Sequence, residues 1–313
     1  MAVNAGADLV IELPFLYACN SAKDFSRGAV EILARTNFVD NIAFGMEDIN
    51  FDVEPLINLM LNENQDYKNF LHQELKSGAS FAKSNSKALE KILQGSSEFI
   101  SQPNNMLALS YMLEIKKHDY NLKPLKFKRE GIFKSKLIRE EKNFEMMSDF
   151  SREIFFMAEK SNENKLWPLL QNIFIRTSSQ ELQNIYGIDE GIENLFLKHW
   201  KIASCLEDFI GKCVCARYTR SHIRRRLIYI LLGLQRSDVK SAMNEKIPYA
   251  RILAFNENGR KILRNNSDIK LVTRLSKEKN FFSKTEYKAS QLYELTLNHQ
   301  NFSRESNTVL KFF

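Results

Sequence analysis

The sequence predicts an α/β fold in which a parallel sheet is followed by a mostly α-helical domain. A short apolar run, Leu9-Val10-Ile11, lies between Gly6 and Pro14, as expected of a buried strand. A helical pattern follows it and leads to a second apolar run, Ile42-Ala43-Phe44, so these segments predict a β-α-β unit. From residue 140 onward, helical patterns with an apolar stripe dominate.

The two predicted strands are expected to lie side by side, with Leu9 to Leu13 as a central parallel strand. Ligands of open α/β sheets bind beyond the carboxyl ends of the strands. Glu12, Gly45 and Glu47 stand at those ends. This arrangement predicts a binding site at that edge of the sheet.

The first residues resemble the end of a helix, because Gly6 is suited to be a C-terminal cap after Met1 to Ala5. Five residues are too few for an isolated helix in water. We therefore expect the chain to begin inside an element, with an upstream segment missing or Met1 being an internal methionine.

Length and charge limit the class of protein. A chain of 313 residues with 44% hydrophobic residues is long enough for two ordinary cores. A composition shift between residues 131 and 142 predicts the domain boundary, which gives domains 1–139 and 140–313. The 45 basic and 38 acidic residues leave a net charge of +7, which permits an acidic partner without requiring one.

Several environments and chemistries are disfavoured. Four cysteines are too few and too unevenly spaced for a disulfide framework. No apolar run approaches the roughly 20 residues that cross a bilayer, and no signal-peptide pattern is present, so we expect a cytoplasmic protein with no membrane partner. The sequence also has no P-loop, no G-x-G-x-x-G and no H-E-x-x-H motif, and Cys213-x-Cys215 lacks a second pair at zinc spacing.

The segment from Gln102 to Tyr111 allows two interpretations. Pro103 keeps the preceding residue out of the helical region, and asparagine is a favoured helix cap, so a simple capped helix is one interpretation. The other is that Asn104 and Asn105, at a helix N-terminus, help to hold an anion or a nucleotide. The basic strand that follows ends at Arg129, which could face the same sheet edge as Glu12 and Gly45.

The strongest local signal for a partner is the arginine-rich segment from Arg217 to Arg226. Its apolar residues recur at helical spacing from Ile223 onward, which places one side against a core. Five arginines in ten residues make a plausible surface for gripping the RNA backbone. The alternative is a solvated helix face whose arginines pair with Glu or Asp. His222 would be a poor general base among these positive charges.

Six ordered motifs that span nearly all of the chain carry a resemblance to a known family. They are Gly6-Ala7-Asp8-Leu9-Val10-Ile11-Glu12-Leu13-Pro14, Phe44-Gly45-x-Glu47, Pro103-Asn104-Asn105-x-Leu107, Tyr186-Gly187-Ile188-x-x-Gly191-x-Glu193-Asn194, Arg217-Tyr218-Thr219-Arg220, and Gly259 after Phe255-Asn256-Glu257. In this order they resemble the bacterial tRNA(Met) cytidine acetate ligase family. The resemblance implies an incomplete Rossmann-like nucleotidyltransferase domain for residues 1–139 and a helical tRNA-binding domain for 140–313.

The resemblance also implies an activity and its partners. Proteins of that family are understood to form acetyl-adenylate from ATP and acetate, then to pass the acetyl group to the N4 amine of the wobble cytidine of elongator tRNA(Met). ATP, expected with Mg²⁺, acetate as a substrate, and tRNA rather than DNA are therefore the implied partners. No metal-binding residues are implied.

By the same resemblance, particular residues receive roles. The implied ATP contacts are Gly45, Asn104, Asn105 and Arg129, with Glu12, Glu47, Ile138 and Arg139 as further support for the ATP site. The implied tRNA contacts are Arg217, Tyr218, Thr219, Arg220, Arg224 and Arg225.

The chain departs from the family pattern in two places. The His-x-Gly-His signature, which contacts the ATP phosphates in the family, is absent, so the catalytic residues are not identified. A serine-rich segment expected after Arg129 is shortened, although Ile138 and Arg139 are kept. We expect a ligase whose N-terminus is truncated and which does not adenylate acetate as given. The alternatives are a non-catalytic tRNA-binding remnant and a scaffold protein with neither activity.

Overall fold

The computed structural model describes residues 2–62, 65–78, 81–129, 144–303, 305 and 311–312. Its strands are β1 (Leu9–Glu12), β2 (Asn41–Met46), β3 (Lys123–Lys128), β4 (Tyr249–Phe255), β5 (Lys270–Val272) and β6 (Lys311–Phe312). The helices before the segment 130–143 are α1 (Phe15–Ala18), α2 (Ala22–Arg35), α3 (Glu54–Asn62), α4 (Gln65–Lys76), α5 (Phe81–Ile92), α6 (Ser96–Ser101) and α7 (Pro103–Lys117). A mixed α/β fold with a parallel strand pair and many helices is thus confirmed.

Nine further helices follow that segment in the described part of the chain. They are α8 (Asp149–Met157), α9 (Trp167–Arg176), α10 (Ser179–Gln183), α11 (Ile192–His199), α12 (Leu206–Cys213), α13 (Arg220–Leu232), α14 (Arg236–Asn244), α15 (Glu257–Ile262) and α16 (Phe281–Glu294). Short 3-10 turns occur at Val3–Ala5, Phe144–Met146, Glu163–Leu166 and Leu275–Lys277. No helix in the described residues is long and apolar enough to cross a bilayer.

The predicted neighbour of β1 is wrong. β1 pairs antiparallel with β4, whereas the parallel partner of β2 is β3. An apolar run of three residues favours a buried strand but carries no information about its direction or partner. In the described residues β1 is only partly buried and lies at one end of the strand order β1-β4-β5, so the expected central position is also wrong. The partner lies some 240 positions away in sequence and is fixed by polar contacts: the Asn256 amide N–H donates to the Asp8 carbonyl oxygen at 3.0 Å, and its side chain donates to the Asp8 carboxylate at 2.8 Å.

Gly6 ends the first turn as expected. It has a left-handed backbone, with φ of 106°, and its N–H donates to the carbonyl oxygen of Val3 at 3.0 Å. A residue with a side chain would be strained in this conformation, which explains the glycine before β1.

The apolar core consists of three clusters in the described residues. One cluster joins Tyr17 and Ile32 to the helices after residue 160, including Phe196 and Ile223. A second cluster lies beneath β2 among α3 to α7, and a small third one lies between α2, β2 and the end of α7. The predicted boundary at residue 139 falls in the segment 130–143, outside the described residues, and stays a prediction.

Candidate functional site

Gly45 and Arg129 come together where β2 and β3 end. In the parallel register, Gly45 lies opposite Phe127, and the Arg129 amide N–H donates to the Met46 carbonyl oxygen at 2.8 Å. The aliphatic part of the Arg129 side chain then crosses Gly45, since a Cβ on Gly45 would lie 2.8 Å from the Arg129 Cγ. The glycine therefore leaves room for an exposed guanidinium at this sheet edge.

The start of α7 lies against the same strand end through Glu47. The Asn104 side-chain amide donates to Glu47 Oε1 at 2.5 Å, and the Asn105 backbone N–H donates to Glu47 Oε2 at 2.9 Å. Arg129 in turn donates to Asn104 Oδ1 at 3.0 Å. Glu47, Asn104 and Arg129, which the sequence places far apart, thus form one hydrogen-bonded group beside Gly45.

Asn105 has a different place from Asn104. Its side chain is 1% exposed, and its Oδ1 accepts the backbone N–H groups of Glu47 at 2.8 Å and Asp48 at 3.1 Å. It therefore holds the loop after β2 against α7. Asn104 is half-buried and is the asparagine that reaches Arg129.

Neither asparagine caps α7 as the simple interpretation supposed. The helix begins at Pro103, and the cap residue Gln102 makes no side-chain capping bond. The Glu47 carboxylate accepts the free N–H of the first turn instead, where the helix dipole favours negative charge. Partial burial raises the pKa of Glu47, but the hydrogen bonds from Asn104 and Asn105 outweigh it and hold this pKa below its ordinary value.

Glu12 lies in the other sheet. It pairs with the buried Arg251 on β4 at 3.3 Å, and Arg251 also pairs with Glu305. Its expected position beside Gly45 followed from the wrong β1–β2 pairing. Ile138 and Arg139, the remaining residues expected to support the ATP site, lie outside the described residues.

A buried acidic group lies around Arg251, and no pattern in the sequence indicates it. Glu286 on α16 accepts the backbone N–H of Phe15 at the start of α1. Burial, followed by the nearby Glu12 charge, raises the pKa of Glu286 to about 8. A single glutamate within an amphipathic helix pattern does not reveal such burial, so sequence reasoning missed it.

The arginine-rich segment forms the start of α13. Thr219 is the cap residue, and its hydroxyl accepts the His222 backbone N–H at 3.3 Å. Ile223 and Leu227 are buried, which confirms the predicted apolar side of this helix. Burial, followed by the charges of neighbouring arginines, lowers the pKa of His222 to about 4, in line with its expected weakness as a base.

Acidic residues already pair with two of the expected RNA-binding arginines. Arg220 and Arg224 both donate to Glu207, the latter at 2.6 Å, and Arg224 also pairs with Glu163. These are the ion pairs that the solvated-face interpretation anticipated. All of these side chains are 40 to 58% exposed, and such exposed pairs contribute only about 0–1 kcal/mol each.

The other residues of the segment differ in accessibility. Tyr218 is 3% exposed and donates to the Glu190 carbonyl oxygen at 2.7 Å, so its ring is inside the protein. Arg217 is exposed and lies 4.0 Å from the Glu190 carboxylate. Arg225 is half-buried, and its Nε has no hydrogen-bond partner in the described residues. No group of three or more potential metal ligands occurs in the described part of the chain.

Comparison with known proteins shows the fold class of this chain. Residues 1–308 match the family model described as HIGH Nucleotidyl Transferase. The protein thus has the fold of a nucleotidyltransferase, and the structure agrees. It superposes on Thermotoga maritima TmcAL bound with alpha-thio ATP with a TM-score of 0.88 and 24% identity, covering 100% of this chain and 86% of that chain.

Curated relatives narrow the class to one family. A tRNA(Met) cytidine acetate ligase from Clostridium perfringens is 32% identical, over 89% of this chain and 77% of the relative. One from Thermoanaerobacter sp. is also 32% identical, over 97% of this chain and 82% of the relative. The chain therefore belongs to the tRNA(Met) cytidine acetate ligase family.

Proposed function

We propose that this chain binds ATP and tRNA(Met) as the nucleotide- and RNA-binding body of a tRNA(Met) cytidine acetate ligase. The observation that carries the proposal is the convergence of Gly45, Glu47, Asn104 and Arg129 on one strand end, since they come from three separated segments of the sequence. A curated relative of the chain is named for this activity, and a protein of the same fold binds an ATP analogue.

The proposed reaction has two steps. In the first, an acetate oxygen attacks the α-phosphorus of ATP, an acyl–phosphate bond forms and pyrophosphate leaves. In the second, the N4 amine of the wobble cytidine attacks the acetyl carbonyl carbon, AMP leaves and the amine loses a proton. Magnesium is proposed to arrive with ATP, since the phosphates supply its oxygen ligands.

The residues of the strand end have distinct roles in this proposal. Arg129 supplies positive charge and planar donors for phosphate oxygens. Gly45 allows the nucleotide to approach the backbone closely, because it has no side chain. Asn104 joins Arg129 to Glu47 and is the asparagine proposed to face the nucleotide, whereas Asn105 supports the loop from inside.

The RNA surface is proposed to be the exposed start of α13. Arg217, Arg220 and Arg224 offer guanidinium groups to backbone phosphates, and the RNA displaces weak surface ion pairs as it binds. Thr219 and Arg225 flank this surface. Tyr218 acts indirectly, since its buried ring fixes the turn that carries Arg217.

Calorimetry of ATP binding tests the proposal. We expect Arg129→Ala to weaken ATP binding about tenfold, because a charge-assisted hydrogen bond to phosphate is lost. Lys128→Ala is the matched control, since it removes the same charge from the neighbouring position on β3, and it should bind ATP nearly as the unaltered chain does. Equal loss in both variants, or no ATP binding by the unaltered chain, would refute the proposed ATP site.

The first step needs donors that these 313 residues were not seen to supply. Adenylate formation depends on preorganised donors at the α-phosphate, and the resemblance assigns that role to a His-x-Gly-His signature, which the 313 residues do not contain. We expect a polypeptide of these 313 residues to bind tRNA but to give no acetate-dependent ATP–pyrophosphate exchange. Measurable exchange would show that other residues of this chain supply those donors.

A further inference from the structure

Three side chains form a continuous series of hydrogen bonds from the first turn of α7 to the exposed Arg129 guanidinium. Glu47 accepts from the Asn104 amide at 2.5 Å, and the Asn104 carbonyl oxygen accepts from Arg129 at 3.0 Å. Glu47 and Arg129 together determine the orientation of the Asn104 amide, because a carboxylate only accepts and a guanidinium only donates hydrogen bonds. Asn104 therefore has one permitted orientation while both ends are in place.

Glu47 is itself held rigidly. Its backbone N–H donates to the buried Asn105 side chain, and its carboxylate accepts the Asn105 backbone N–H. The carboxylate is half-buried beside α7, whereas the Arg129 guanidinium is exposed. Glu47 thus stands behind Asn104, on the side away from Arg129.

We infer that Glu47 is a positioning residue for the nucleotide: it orients the Asn104 amide so that its carbonyl oxygen holds the guanidinium of Arg129, whose aliphatic part crosses Gly45. This inference rests on the proposed ATP site and adds a residue that acts through others. A free arginine side chain samples many rotamers and loses this conformational entropy when it binds a ligand. Because the hydrogen bond to Asn104 already restricts Arg129, less entropy is lost when the nucleotide binds. The remaining N–H groups of Arg129 stay available for phosphate.

The same contacts give Glu47 a second, purely structural effect. Its carboxylate occupies the N-terminus of α7, so any change there also weakens a helix cap. A cap alone would lower stability, and any loss of nucleotide affinity would then be independent of Arg129. The two roles are therefore separated by asking whether the effect of Glu47 needs Arg129.

The decisive variant is Glu47→Gln, which keeps the size of the side chain. A glutamine can accept from only one of its two partners, because its other terminal atom is an N–H₂ group. If it still accepts from the Asn105 N–H, Asn104 must turn and present its own N–H₂ group to Arg129. We expect ATP binding to weaken about tenfold by calorimetry, and the effect to fall below about twofold when Arg129 is already alanine.

Two further measurements complete the test. Glu54→Gln is the matched control, because it removes an exposed carboxylate that pairs with Lys116, at the opposite end of α7 from Asn104; it should leave ATP affinity unchanged. NMR of the side-chain amide groups, recorded without nucleotide, should show a shift of the Asn104 signals in Glu47→Gln and not in Glu54→Gln.

The outcomes separate this inference from the proposed function. Absence of ATP binding by the unaltered chain would refute the proposed function and this role with it. If the unaltered chain binds ATP, normal binding by Glu47→Gln overturns only the positioning role. An equal loss in the presence and absence of Arg129, or unchanged Asn104 signals, likewise overturns it and leaves the ATP site standing.

Discussion

Single glycines show how closely side chains approach the backbone in this protein. At Gly45 the neighbour is the side chain of Arg129, whose Cγ would lie 2.8 Å from a Cβ, so the glycine makes room for this side chain to cross the strand end. At Gly28 on α2 the neighbour is Tyr17, whose ring carbon Cγ would lie 2.4 Å from a Cβ. Tyr17 is fully buried and cannot retreat, so this second glycine serves packing.

Gly28→Ala is expected to destabilise the protein by about 2 kcal/mol, the usual cost of overpacking a rigid core. Chemical denaturation measures this change. Gly211→Ala on α12 is the control, because its nearest contact, at 3.6 Å to Arg220, is an ordinary one. Since alanine is the better helix former, the control should gain up to about 1 kcal/mol. A stable Gly28→Ala variant would contradict the packing described for α1 and α2.

At the scale of elements, the helix α13 combines a buried side and a charged side. The buried side was predictable, because its apolar residues recur at helical spacing. The state of the charged side was not, because Glu207 and Glu163 lie on other elements and nothing in the local sequence pairs them with the arginines. The RNA binding proposed for this helix therefore has to displace the protein's own acidic groups.

Glu207→Gln is expected to strengthen tRNA binding, because it releases both Arg220 and Arg224 from their shared partner. A two- to fivefold gain of affinity at low salt is expected, about the size of an exposed ion pair, with a steeper dependence on salt concentration. Filter binding over a salt series measures both quantities. Arg220→Ala should have the opposite effect. Unchanged affinity in both variants would exclude α13 as an RNA surface.

The candidate site shows where sequence reasoning succeeds and stops. The expectation that Arg129 faces the same sheet edge as Gly45 agrees with the structure, although the parallel neighbour of β2 is β3 and not β1 as predicted. The placement of Glu12 was not predictable, because three apolar residues do not specify the partner of β1. The different positions of Asn104 and Asn105 could not be predicted either. Adjacent residues on a helix point in different directions, and packing decides which of them faces the interior.

At the scale of the whole molecule, the two ends of the described chain meet around Arg251. Glu12 from β1, Glu286 from α16 and Glu305 near the C-terminus surround this one buried arginine. With a pKa of about 8, Glu286 keeps its proton in the folded protein at pH values where the unfolded chain has lost it. Because the folded state binds the extra proton, stability should fall as pH rises from about 4.5 to about 8.

Glu286→Gln should remove this loss, because glutamine resembles the protonated carboxyl group and its oxygen can still accept from Phe15. We expect the melting temperature to rise relative to the unaltered chain at about pH 8.5 and to change little at about pH 5. Glu257→Gln, which removes an exposed carboxylate, is the control. The same difference at both pH values would contradict the proposed protonation of Glu286.

A crystal structure of this chain with ATP would show whether Gly45 and Arg129 hold the nucleotide. We expect phosphate oxygens within hydrogen-bond distance of Arg129, the nucleotide against Gly45, and Asn104 still joining Arg129 to Glu47; this is the arrangement to be tested. Nucleotide bound at another surface, with Arg129 contacting only Asn104, would contradict it.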